Sequence, residues 1–121
     1  MEPVGAREQT LRQLRRGVLP HAVLAALARQ ERYGFELVRL LTEEHGFAIS
    51  EGTIYPLLSR LRRDGLVQTS WRESDAGPPR RYYRLTRDGR LALDGFRTEW
   101  RSFRDAVDAL IAPDAPRRTE P

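Results

Sequence analysis

The stretch SEGTIYPLLSRLRRDGL, residues 50–66, constrains the fold more than any other part of this 121-residue chain. Ile54, Leu57, Leu58 and Leu61 recur at i, i+3, i+4 and i+7, the spacing of a helix buried along one stripe. Pro56 falls inside that pattern, where a proline removes a backbone hydrogen bond and crowds the carbonyl four residues back. On a helical wheel the four apolar residues gather on one side. Pro56, Ser59 and Arg63 lie opposite them, flanked by Tyr55 and Arg60, so the proline points outward. Two starts are compatible with this helix. With Thr53 as N-cap, Pro56 takes the third helical position, whose N–H has no intrahelical partner to lose. With Ser50 as N-cap, the lost bond is one to Gly52 on the same outward face. The Thr53 start is favoured, with residues 50–52 as a preliminary turn. Either start leaves a stiffened, exposed N-terminal turn.

Around this helix the remaining elements fall into order. Residues 1–9 read as a mobile start. Leu11, Leu14 and Val18 recur at helical spacing up to Pro20, which suits the first turn of a second helix. Val23, Leu24, Ala26 and Leu27 continue an apolar stripe to about Arg29. In YGFELVRLLTEEHG, Phe35, Val38 and Leu41 line one face and Gly46 marks a stop. FAIS is a short extended link into the proline-bearing helix, and Gly65 suits its left-handed cap. LVQTSWRE and RRYYRLT are β-prone runs around the turn-rich SDAGPP, a hairpin with a projecting loop. Thr86 caps a last helix reaching about Ala112, and PDAPRRTEP, residues 113–121, reads as a disordered tail. The expected fold is mainly α with a β-hairpin wing, a winged helix-turn-helix over residues 10–86. The long C-terminal dimerisation helix spans residues 87–112.

Charge narrows the partners. The chain carries a net +4, and all 21 of its basic residues are arginine. Arginine's planar fork grips phosphate and guanine edges, which favours nucleic acid among partners. Ser50, Thr53, Tyr55, Pro56, Ser59, Arg60 and Arg63 surround an exposed helix N-terminus, the kind of surface that binds phosphate or probes base edges. On the hairpin, Gly77, Pro78 and Pro79 stiffen a tip followed at once by Arg80 and Arg81, suited to a minor groove. The next two residues, Tyr82 and Tyr83, point to opposite faces of their strand. The chain has no cysteine, which excludes disulfides and thiolate metal sites. It has no apolar run near the ~20 residues of a membrane span, and its N-terminus has no signal-peptide core. A cytoplasmic location is expected. His21 and His45 have no matched carboxylate or serine, and no HExxH, Walker or GxGxxG pattern occurs. No catalysis, metal or cofactor is expected. His21 reads as an early-helix polar residue and His45 as a partner for a helix C-terminus.

YGFEL, SEGTIYPLLSRLRRDGLV and GPPRRYYRLTRDG, in this order and spacing, closely resemble the PadR family of bacterial transcriptional regulators. The similarity covers roughly residues 17–111. It implies a winged helix-turn-helix homodimer, usually a repressor, bound to operator DNA with its third helix in the major groove and its wing in the adjoining minor groove. Tyr33, Ser50, Thr53, Tyr55 and Arg60 match family positions near DNA, and Arg80 and Arg81 match its basic wing. Arg62 and Arg63 depart from the commoner pattern, in which an acidic residue often follows the arginine-leucine pair. The single last helix resembles the shorter subfamily.

Leu93, Phe96, Trp100, Phe103, Val107 and Leu110 are spaced 3, 4, 3, 4, 3, an a/d seam expected of a helix that pairs with another chain. In multidrug-sensing members of the resembled family, a tryptophan at the place of Trp100 stacks planar aromatic effectors against its symmetry mate. Filling the dimer core is the other use open to Trp100. Two functions from different classes stand at this point: an effector-responsive DNA-binding repressor, and a winged-helix protein-assembly module without specific DNA binding.

Overall fold

A computed structural model describes residues 5–114. Residues 1–4 and 115–121, in the stretches read as mobile start and tail, lie outside the described residues. The elements run α1 (Ala6–Arg29), β1 (Arg32–Tyr33), α2 (Gly34–Arg39), a π-helical turn (Leu40–Glu44), α3 (Glu51–Arg63), β2 (Val67–Arg72), β3 (Arg80–Leu85) and α4 (Arg87–Ile111).

The first helix corrects the sequence reading twice. It opens at Ala6, so residues 6–9 are helical, and it runs through Pro20 without a break. Pro20 costs the bond its N–H would have made to the carbonyl of Arg16, which lies on an exposed side. Burial outweighs that loss. Leu19, Val23, Leu24, Ala26 and Leu27 stay in phase across the proline, and all five are buried.

They pack with Leu37, Leu41, Ile54, Leu57, Leu58, Leu61, Val67, Tyr83, Leu85 and Leu93 as one core. In α2 and the π-helical turn after it the core residues are Leu37 and Leu41, whereas Phe35, expected inward, is exposed. The sheet is also larger than a hairpin. β1 pairs antiparallel with β3 through Arg32 opposite Tyr83 and Tyr33 opposite Tyr82, giving the order β1-β3-β2. Two residues carry no period, so this strand leaves no trace in the hydrophobic pattern.

The base of α4 is clasped to the turn between α3 and β2. The Thr86 hydroxyl donates to the Gly65 carbonyl at 2.6 Å and accepts from the Gly89 N–H at 3.0 Å. The Thr86 N–H donates to the Leu66 carbonyl at 3.1 Å. Gly65 takes the left-handed conformation, φ +78°, that ends α3. Higher up, the rings of His21 and Phe96 stack at 4.1 Å with 8° between planes. His21 is thus a mid-helix residue joining α1 to α4, not an early-helix polar group. Burial lowers its pKa, and its Nδ1 is buried without a partner among the described residues. Beyond Leu93, α4 leaves the core. Trp100 is 38% exposed, Phe103 64% and Leu110 84%, so the seam stands bare on the single chain.

Candidate nucleic-acid interface

Helix α3 begins one turn-step earlier than the favoured reading. Ser50 is the N-cap, with no side-chain cap bond, and its carbonyl accepts from both Thr53 N–H and Ile54 N–H at 3.0 Å. The shared carbonyl explains the ambiguity, because the Thr53 bond is 3₁₀-like and the Ile54 bond already α-helical. Pro56 therefore forfeits the bond to Gly52, and both residues are exposed. Ile54, Leu57, Leu58 and Leu61 are buried, whereas Ser50, Thr53, Pro56, Ser59, Arg60 and Arg63 face out as expected.

The outward surface has two different flanks. On one, Thr53, Pro56 and Arg60 join Arg12, Arg15 and Arg16 of α1 around an open groove of about 600 Å³. Its floor includes Leu19, Phe47 and Leu57, and Glu8 is the one acidic residue lining it. On the other flank Tyr55 is not simply outward-facing. Its ring lies against Gly34, where any Cβ would stand 2.5 Å from Cε1 and 2.7 Å from the hydroxyl. Burial, followed by the Glu51 carboxylate, raises the Tyr55 pKa. Tyr55 thus cements α3 to the start of α2 while keeping 42% of its surface exposed.

In the wing, Arg80 and Arg81 open β3, within the run read as β-prone, with Arg72 opposite Arg80 and Trp71 opposite Arg81. The pleat sends them to opposite faces. Arg80 lies 4.5 Å over the Tyr33 ring and Arg81 4.9 Å over Trp71. Arg72 is ion-paired with Glu31 and lies 4.3 Å over Tyr82, whose ring meets Tyr33 edge-on at 5.4 Å. The tip itself is tied by Ser74, whose hydroxyl meets the carbonyls of Gly77 and Pro78 at 3.1 and 3.0 Å. Tyr83 is the buried member of the tyrosine pair.

Helix α3 and the wing meet through consecutive residues. Tyr33 supports Arg80 of the wing, and Gly34 receives Tyr55 of α3. Among the described residues no cluster of His, Cys, Asp and Glu could hold a metal, and no helix is long and apolar enough to cross a membrane.

The model of the transcriptional regulator PadR-like family matches residues 23–95, which span α1 to the first turns of α4. This chain belongs to that family. A PadR family transcriptional regulator from Eggerthella lenta has a crystal structure that superposes with a TM-score of 0.80, at 36% identity, over 88% of this chain and 93% of that one. The transcriptional regulator Rv3488 of Mycobacterium tuberculosis is 40% identical over 69% of this chain and 76% of its own. Bacillus subtilis PadR, in a crystal structure with operator DNA, shares the fold at a TM-score of 0.60 and 24% identity, over 86% of this chain and 51% of that one.

Within the PadR-like frame, Tyr33, Tyr55 and Arg80 come together, and Thr53, Pro56 and Arg60 form a separate groove wall. Trp71, Arg72 and the α1 arginines are not among the residues that the sequence singles out. Strand register would place Trp71 and Arg72 beside the wing arginines. The approach of α1 to α3 has no such signal.

Proposed function

We propose that this PadR-like protein is a homodimeric, cytoplasmic repressor of transcription that binds operator DNA and is released by a planar aromatic effector. The observation that carries the DNA-binding part is the junction at Tyr33 and Gly34, which joins the Tyr55 flank of α3 to the arginine-bearing wing. In this reading Ser50, Thr53, Ser59, Arg60 and Arg63 meet the major groove, with Tyr33 and Tyr55 beside them. Arg80 and Arg81 meet the adjoining phosphates or minor groove. Arginine is suited to both tasks, since its fork reads guanine edges and phosphates alike.

The dimer is supported by the seam of Leu93, Phe96, Trp100, Phe103, Val107 and Leu110. Leu93 is buried in the core and Phe96 stacks on His21, but Trp100, Phe103 and Leu110 beyond them are exposed on the single chain. Phe96, Trp100 and Phe103 form a continuous ring series, with centroid separations of 6.0 and 6.4 Å. Across a two-fold axis Trp100 would face its copy, and a flat aromatic effector would stack there.

Salt dependence tests the reading at the wing. Arg80→Ala combined with Arg81→Ala should reduce the log–log salt slope of DNA binding by up to about two, one unit for each phosphate no longer neutralised. Thermal stability should fall only modestly, because Arg80 is exposed and the half-buried Arg81 has no ion pair among the described residues. An unchanged slope would remove the wing from the DNA.

A further inference from the structure

Trp71 poses a packing question that DNA binding by Arg80 and Arg81 leaves open. It is 64% exposed on a strand whose neighbours Val67 and Tyr83 are buried. An indole that bare contributes little to a core, yet its ring is in use: the Arg81 guanidinium lies 4.9 Å above it, directly across the strand pair. The Arg81 Nε is buried and has no hydrogen-bond partner among the described residues, which leaves the Nη groups as the polar end for a ligand. On the opposite face of the sheet, Tyr33 carries Arg80 in the same way, at 4.5 Å.

Arg72 shows the contrast. It too lies over a ring, that of Tyr82, but the carboxylate of Glu31 already neutralises it. Among the described residues neither Arg80 nor Arg81 has a carboxylate partner. The distinction matters because of where a guanidinium's donors lie. Its five N–H groups are in the plane, whereas an aromatic ring engages the flat face. A ring can therefore fix the side chain and leave charge and donors free for phosphate. A carboxylate fixes it by using both. A flexible surface arginine must be immobilised when it binds; one already seated on a ring has given up that freedom during folding.

We infer that Trp71 and Tyr33 are positioning residues, aromatic shelves that hold the Arg81 and Arg80 guanidiniums ready for DNA without neutralising them. Arg72, held by Glu31, is withdrawn from that task. This rests on the DNA-binding reading above and adds to it the residues that set the arginines' orientation.

The test uses the full chain and a mixed-sequence B-DNA duplex, with binding followed by anisotropy across a salt series. Trp71→Leu and Tyr33→Leu should each weaken binding about two- to fivefold, the range of an exposed cation–π contact. The salt slope should stay at its parent value, because no charge is removed. Trp71→Phe and Tyr33→Phe should restore most of the affinity, since a ring face returns. At Trp71 a purely structural role would give no such recovery with the smaller ring of phenylalanine. Tyr33 also belongs to β1; if Tyr33→Leu impairs folding, the exposed Trp71 pair decides alone. Leucine variants that bind like the parent, or phenylalanine variants as weak as leucine, overturn the inference and leave DNA binding standing. A parent that shows no salt-dependent binding overturns DNA binding itself, and the shelves with it.

Discussion

Gly89→Ala should destabilise the protein by about 3 kcal/mol or more, as overpacking against a fixed backbone does. A Cβ at this position would stand 2.1 Å from the Leu66 carbonyl oxygen and 3.2 Å from a Leu85 methyl. The obstacle is backbone, so no rotamer change relieves it. The Leu66 carbonyl also accepts the Thr86 N–H, and the Thr86 hydroxyl bridges Gly65 and Gly89. Moving α4 away would break this clasp at the base of the last helix. Gly95 supplies the control, six residues further along α4 with open space around its Cα. Gly95→Ala should stabilise the chain by about 0.5–1 kcal/mol through helix propensity alone. Urea denaturation of the two variants measures both effects, and equal stabilities would show that the clasp carries no weight.

Phe103→Asp should convert the proposed dimer to a monomer. Phe103 is 64% exposed on the single chain, so the monomer's own fold loses little. In a two-fold dimer the substitution counts twice, and burying a polar or charged group in an apolar seam costs ~2 kcal/mol or more each time. Dissociation should therefore strengthen on the order of a thousandfold. Sedimentation, with circular dichroism to confirm retained helix, reads the outcome. A dimer of parental affinity would place the interface elsewhere. The milder Trp100→Leu keeps the seam apolar. It should retain the dimer and lose planar-dye binding if Trp100 senses ligand. A destabilised dimer with no ligand phenotype would make Trp100 core filler.

The layout is legible in the sequence where one physical signal dominates. Ile54, Leu57, Leu58 and Leu61 are buried as their period requires, and Thr86 caps α4 as its hydroxyl and position suggest. Pro20 misleads because a local rule about helix starts competes with a stripe that stays in phase through it. Tyr55 misleads for a different reason. A wheel reports which way a side chain leaves its own helix, but the space that receives this ring exists because Gly34, on another element, has no side chain. Arg80 and Arg81 follow a loop tip in the sequence, yet strand parity divides them between two faces. The Tyr55 case depends on a neighbour distant in sequence that no window of one helix contains, whereas the stripe through Pro20 and the parity of Arg80 and Arg81 lie within a single helix and a single strand.

Specific recognition of DNA by the combined surface of α3 and the wing is the central claim. Its most direct measurement is the affinity of the purified protein for the region upstream of its own gene, set against a scrambled duplex of equal length across a salt series. Specific binding should exceed non-specific by about a thousandfold or more, and both affinities should fall linearly in log–log form with salt. Equal weak affinity for the two duplexes, or binding indifferent to salt, would contradict it.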